Sequence, residues 1–110
     1  MTASEIQIIS NEEVVEIFLP AKNSFNTSTA SASFMGNHWF INRVLVNPQS
    51  DRGKGIGSKL LQVLIKEIKK QNNKKIIVTP GGYINNTKQQ INFYVKNGFK
   101  KTGDCFTLIT

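Results

Sequence analysis

The chain has 110 residues, with 14 lysines and arginines against seven aspartates and glutamates, a formal charge of +7. That length is expected to form one small domain, residues 1–110, which buries roughly two thirds of its unfolded surface and needs no metal or disulfide staple. The single cysteine, Cys105, excludes an internal disulfide, and no apolar run exceeds three residues, so no segment is expected to span a membrane.

The first residues, Met1-Thr2-Ala3-Ser4-Glu5, lack the basic-then-apolar pattern of an export signal, and with a lone cysteine the expected location is cytoplasmic. Charge is unevenly spread. Residues 1–37 hold four glutamates against Lys22, a net of −3, while residues 38–110 hold 13 basic and three acidic residues, a net of +10. Such a basic region implies an anionic partner: nucleic acid, a membrane surface or a phosphorylated small molecule.

The N-terminal third reads as strands. In residues 5–9, Ile6 and Ile8 share a face; in residues 14–19, Val15, Ile17 and Leu19 do, and Pro20 ends the run. Residues 27–35 alternate Ala30, Ala32 and Phe34 with Ser and Thr, a strand of moderate propensity. Gly36-Asn37 reads as a two-residue hairpin turn. Residues 39–46 are apolar on both faces, with Trp39, Ile41 and Leu45 on one and Phe40, Val44 and Val46 on the other. That pattern predicts a central strand.

The middle is helical: Leu60, Leu61, Leu64, Ile65 and Ile68 recur at helical spacing, with lysines and Gln62 opposite and Asn72-Asn73 as the stop. Residues 75–79 read as a buried strand, parallel to 39–46 because a helix lies between them. A second helix is expected from about Thr87 to Asn97, with Asn86 as N-cap and Gly98 in the left-handed position past its end. Residues 99–102 and 105–109 form a closing hairpin around Gly103-Asp104.

The segment that carries chemistry is Asp51-Arg52-Gly53-Lys54-Gly55-Ile56-Gly57-Ser58, between the central strand and the first helix. Three glycines let the backbone turn sharply and approach a ligand closely. The N–H groups that open a helix lack intrahelical acceptors and carry partial positive charge, which suits a phosphate, and Arg52 and Lys54 add full charges. A P-loop would need Gly-Lys-Ser/Thr where Gly57-Ser58-Lys59 stands, and a dinucleotide fingerprint would need another glycine spacing and an acidic residue near Asn72. A plain tight turn is the remaining structural alternative.

Read as R-x-x-G-x-G, Arg52, Gly55 and Gly57 resemble the acyl-CoA pyrophosphate loop of the GNAT superfamily of N-acetyltransferases. Val44-Leu45-Val46-Asn47-Pro48 resembles the strand before that loop. Phe93-Tyr94-Val95-Lys96-Asn97-Gly98-Phe99 resembles the family's second signature, and the likeness spans about residues 39–103. The resemblance implies an α/β fold (mixed α+β): a mixed, mostly antiparallel sheet with two helices and a central β-α-β unit around the CoA loop. It implies acetyl-CoA as co-substrate, no metal, and an unidentified primary amine that attacks the thioester directly. The pantetheine arm would follow the backbone of Leu45 and Val46 in a gap between strands 39–46 and 75–79. The pyrophosphate would meet Arg52, Gly53, Lys54, Gly55, Ile56, Gly57 and Ser58. Asn86 either reaches CoA or only caps its helix. Tyr94 either protonates the leaving thiolate or is a half-buried tyrosine packed on the sheet.

The general base stays open. The family often places a glutamate on the central strand, which here has none, and His38, Glu13, Glu16 or a water chain are the alternatives. The family also has two helices between its first two strands, where this chain has only Ser10-Asn11. Its acceptor site is therefore open, completed by a second subunit as in a homodimer, or unused. The alternative function is a catalytically weak or inactive GNAT-like domain that binds acyl-CoA or a partner. A nucleic-acid module is disfavoured, because no recognised motif is present and aromatics do not interleave with the lysine-rich helix face.

Overall fold

Asn11 sets the first turn. Its side-chain Oδ1 accepts the backbone N–H groups of Glu13 at 2.8 Å and Val14 at 3.0 Å. This Asx turn reverses the chain between β1 (Gln7–Ser10) and β2 (Val14–Leu19). The computed structural model describes residues 6–19, 28–45, 55–72, 74–79, 87–103 and 105–108. Within them follow β3 (Ser28–Phe34), β4 (Trp39–Leu45), α1 (Ile56–Gln71), β5 (Ile76–Val78), α2 (Thr87–Lys96), β6 (Lys100–Thr102) and β7 (Cys105–Leu108). This is the predicted order of elements, with strand ends moved by at most two residues. Between β3 and β4 the Met35 N–H donates to the His38 carbonyl at 2.8 Å and Gly36 takes φ +97°. Gly36 and Asn37 thus form the expected turn, and its first position needs the positive φ that glycine supplies.

The strands make one mixed sheet in the order β1-β2-β3-β4-β5-β7-β6. Every neighbouring pair is antiparallel except β4 and β5, the pair expected to be parallel. β6 is parallel to β5, since both run against β7. The crossovers β4–α1–β5 and β5–α2–β6 therefore step the same way across the sheet. Right-handed crossing then places both helices on one face.

The core lies between that face and the helices. Val15, Ile17, Ala30, Ala32, Trp39 and Ile41 are buried there against Leu60, Leu61, Leu64, Ile65 and Ile68 of α1, with Tyr94 and Phe99 in the same cluster. The small Ala30 and Ala32 let the helix approach the middle of the sheet. β1 is an edge strand with one neighbour. Ile8, paired with the buried Ile17, points to the core side yet stays 45% exposed, and Ile9 on the other side is 50% exposed. Among the described residues no helix is long and apolar enough to cross a membrane.

One expectation about β4 is corrected. Ser31 pairs with Arg43 but Ala32 pairs with Ile41, so Asn42 is an extra residue, a β-bulge. Because side chains alternate with period two, one extra residue flips every later side chain to the other face. Val44, paired with Ala30, joins the core face of Trp39 and Ile41. Leu45, paired with Thr29, joins Phe40 on the opposite face. The strict alternation read from the sequence had these two reversed. Val46 lies outside the described residues.

The start of β4 is tied to the end of α1. The buried Trp39 donates its indole N–H to Asn72 Oδ1 at 3.0 Å, and the same oxygen accepts the Lys74 N–H at 3.1 Å. Asn72 ends α1 with its own N–H on the Ile68 carbonyl. Asn72→Ala leaves the indole N–H without this partner, at a cost of about 1–3 kcal/mol. A lower urea midpoint at unchanged slope is the expected result. An unchanged midpoint would show that the bond contributes nothing to stability.

Candidate functional site

β4 parts from β5 after a short contact. Only Trp39 with Ile76 and Phe40 with Ile77 are paired. From Ile41 onward, the β5-facing edge of β4 has no paired residue among the described residues. Such an edge is a template on which an extended chain can add its own hydrogen bonds. The bulge residue Asn42 marks the parting, and its Nδ2 donates to Ser33 Oγ at 2.9 Å. Leu45 is the last described residue of that edge.

The second feature is the start of α1. Gly55 is its N-cap at φ +83° and ψ 1°, a left-handed conformation that glycine adopts without strain. Among the described residues no side chain caps the helix, and its first turn holds no acidic residue. Ile56, Gly57 and Ser58 thus present first-turn N–H groups with no side-chain acceptor, at the positive end of the helix dipole. That arrangement suits an anion. Of the other residues expected here, Val46, Arg52, Gly53, Lys54 and Asn86 lie outside the described residues.

Tyr94 belongs to the end of α2. The Gly98 N–H donates to the Val95 carbonyl at 3.1 Å and the Phe99 N–H to the Tyr94 carbonyl at 3.0 Å, while Gly98 takes φ +98°. This is a Schellman C-cap, with its usual apolar contact: the Tyr94 and Phe99 rings meet edge to face at 5.4 Å. The signature Tyr-x-x-x-Gly-Phe therefore has a structural meaning independent of chemistry. Tyr94 is 6% exposed, more buried than the half-buried ring envisaged, and burial pushes its phenol up to about 12. At neutral pH the phenol keeps its proton.

Asn97 escaped the sequence reading. Its Nδ2 donates to the Phe93 carbonyl at 2.8 Å and lies 3.3 Å from Ser58 Oγ, and its Oδ1 accepts from Gln62 Nε2 at 2.9 Å. It joins the end of α2 to the first turn of α1. A polar residue one position before a helix-ending glycine reads as an ordinary C-terminus, so no sequence signal marks this role. Of the base candidates, Glu13 is exposed in the first turn, Glu16 is half-buried within β2, and the His38 ring is hydrogen-bonded to Asn37.

A sequence profile of the acetyltransferase (GNAT) domain matches residues 13–101. Curated protein sequences gave no match. Among solved structures, a protein described as a GNAT-family acetyltransferase from Desulfovibrio desulfuricans aligns at TM-score 0.75 and 13% identity, covering 88% of this chain and 69% of its own. The PaiA N-acetyltransferase of Thermoplasma acidophilum, solved with coenzyme A, aligns at TM-score 0.65 and 22% identity, covering 86% and 58%. An anti-CRISPR protein aligns at TM-score 0.61 and 16% identity, covering 94% and 97%. At these identities the likeness concerns the fold. The last pair also agrees in length.

The buried phenol has a measurable consequence. Its pKa is raised from 10 to about 12, so its contribution to stability is complete below pH 10 and is lost as the pH rises to 12. Two units correspond to about 3 kcal/mol. A titration of tyrosinate absorbance should show one tyrosine ionising near 12 or with alkaline unfolding, and Tyr94→Phe should remove that phase. Titration of both tyrosines near 10 in the folded protein would contradict the burial.

Proposed function

The chain belongs to the GNAT family of acetyl-CoA-dependent acetyltransferases, and from that premise we propose that it moves an acetyl group onto a primary amine by direct attack. The observation that carries the proposal is the uncapped start of α1 at Gly55, on the segment that follows the free edge of β4. The pyrophosphate of acetyl-CoA is assigned to the N–H groups of Ile56, Gly57 and Ser58, with Gly53, Arg52 and Lys54 of the preceding loop. The pantetheine arm is assigned to the β4 backbone at Leu45 and Val46, where amides of the arm can replace the missing β5 partner. Asn86, just before α2, is retained as a candidate CoA contact.

The acceptor nitrogen attacks the thioester carbonyl carbon, and negative charge grows on its oxygen. A backbone N–H of β4 beside the bulge is the proposed donor to that oxygen. The C–S bond then breaks with its electron pair on sulfur, and the nitrogen sheds a proton. Tyr94 is the proposed proton donor to sulfur. A phenol near 12 is a weaker acid than a thiol near 8.5, so complete transfer to a free thiolate is uphill by roughly 3–4 pH units. Its contribution is therefore a hydrogen bond to the sulfur as charge develops, with its proton passed on only as the proton released by the amine replaces it.

Acetyl-CoA at one hundred times its Kd should raise stability by about 2.7 kcal/mol. Tyr94→Phe should keep that affinity and lose about a hundredfold or more in kcat. Wild-type turnover in Tyr94→Phe would remove the acid role. Binding of acetyl-CoA with no CoA released across an amine panel would favour the non-catalytic acyl-CoA-binding reading.

A further inference from the structure

The face of β2, β3 and β4 opposite the helices holds a trough of about 380 Å³. Thr29, Ser31 and Ser33 of β3 form its floor, Val14, Glu16 and Phe18 of β2 one wall, and Asn42 and Arg43 of β4 the other. The relief follows from side-chain size, since a column of short hydroxyl side chains runs between two columns of longer ones. Glu16, Ser31 and Arg43 lie in one row across the three strands. Two strand spacings put the Cα atoms of Glu16 and Arg43 about 10 Å apart. Among the described residues neither charge has an ion-pair partner. The trough thus keeps, among the described residues, an unpaired carboxylate on one side and an unpaired guanidinium on the other.

We propose that this trough is the acceptor subsite, and that it takes an extended polypeptide segment with a basic side chain against Glu16 and an acidic one against Arg43. The inference rests on the acetyl-transfer reading, because the β4 wall includes the bulge at which the thioester is assigned. The trough is shallow and open, whereas a pocket for a small ligand encloses most of its surface. A chain lying along β3 gains contacts over the roughly 13 Å from Thr29 to Ser33 and continues beyond both ends. Successive side chains of such a chain point to opposite walls, which matches walls of opposite charge. Its backbone N–H groups lie over the Ser31 and Ser33 hydroxyls, whose oxygens can accept them.

The test uses the full chain, acetyl-CoA and blocked seven-residue peptides with one lysine followed by an adjacent pair, arginine-aspartate, alanine-alanine or glutamate-glutamate, so that the two members of the pair point to opposite walls. The mixed-charge peptide should have a KM about tenfold below that of the glutamate peptide. Glu16→Gln should erase the difference, and Glu16→Lys should reverse it. On isotope-labelled protein, the mixed-charge peptide should shift the amides of Thr29, Ser31 and Ser33, while acetyl-CoA shifts those of residues 55–58. No shift on β3, a peptide ranking unchanged in Glu16→Lys, or a free alkylamine preferred over every peptide would each overturn the proposal. So would a concentration-dependent shift of the same β3 amides without peptide, which would assign the face to a second copy. Failure of acetyl-CoA to shift residues 55–58 would instead sink the acetyl-transfer reading itself.

Discussion

All described helices pack on one side of the sheet, and most other features follow from that. Two parallel crossovers that step the same way must lay α1 and α2 on the same face. The apolar faces of β2, β3 and the first half of β4 are therefore committed to that side, with Trp39 buried at their centre. The opposite face is left to a mixture, in which Glu16, Ser31, Ser33 and Arg43 stand beside Val14, Phe18, Phe40 and Leu45. A one-sided core thus creates a patterned surface without any element being devoted to it.

The bulge at Asn42 couples the two faces. Without it, β4 would alternate regularly, Val44 would leave the core and Leu45 would enter it. The extra residue keeps Val44 packed on Ala30's side while the strand bends. The same bend coincides with the end of pairing to β5. One inserted residue therefore preserves burial on the helix face, frees a backbone edge for an extended ligand, and lifts Asn42 and Arg43 into a wall on the open face.

Much of this was legible in the sequence, for reasons that differ by element. The helical spacing of Leu60, Leu61, Leu64, Ile65 and Ile68 can be satisfied by only one period, and the structure buries all five. Gly36 and Gly98 announce turns because only positive φ explains them there. The bulge was hidden because apolar residues fall on both faces of Trp39-Phe40-Ile41-Asn42-Arg43-Val44-Leu45, and its one trace was Arg43 between Ile41 and Leu45 on the face read as apolar. Asn97 was hidden because its partners, Ser58 and Gln62, are distant in sequence. The glycine loop was conspicuous as a motif, yet of the proposed phosphate contacts only residues 55–58 fall within the described structure.

The charge of +7 takes on a different meaning beside the start of α1. An aspartate or serine in a normal N-cap conformation would satisfy first-turn N–H groups and contribute about 1 kcal/mol. Gly55 supplies neither, and no acidic residue stands in the first turn, whereas Lys69 and Lys70 do complement the other end of the same helix. Among the described residues the helix is thus matched to its dipole at one terminus and left unmatched at the other. Filling the open end with the protein's own carboxylate would stabilise the chain and occupy the place proposed for a pyrophosphate. On that reading the missing cap is part of the site, and the anion implied by the basic composition is one that completes a helix rather than one that coats a surface.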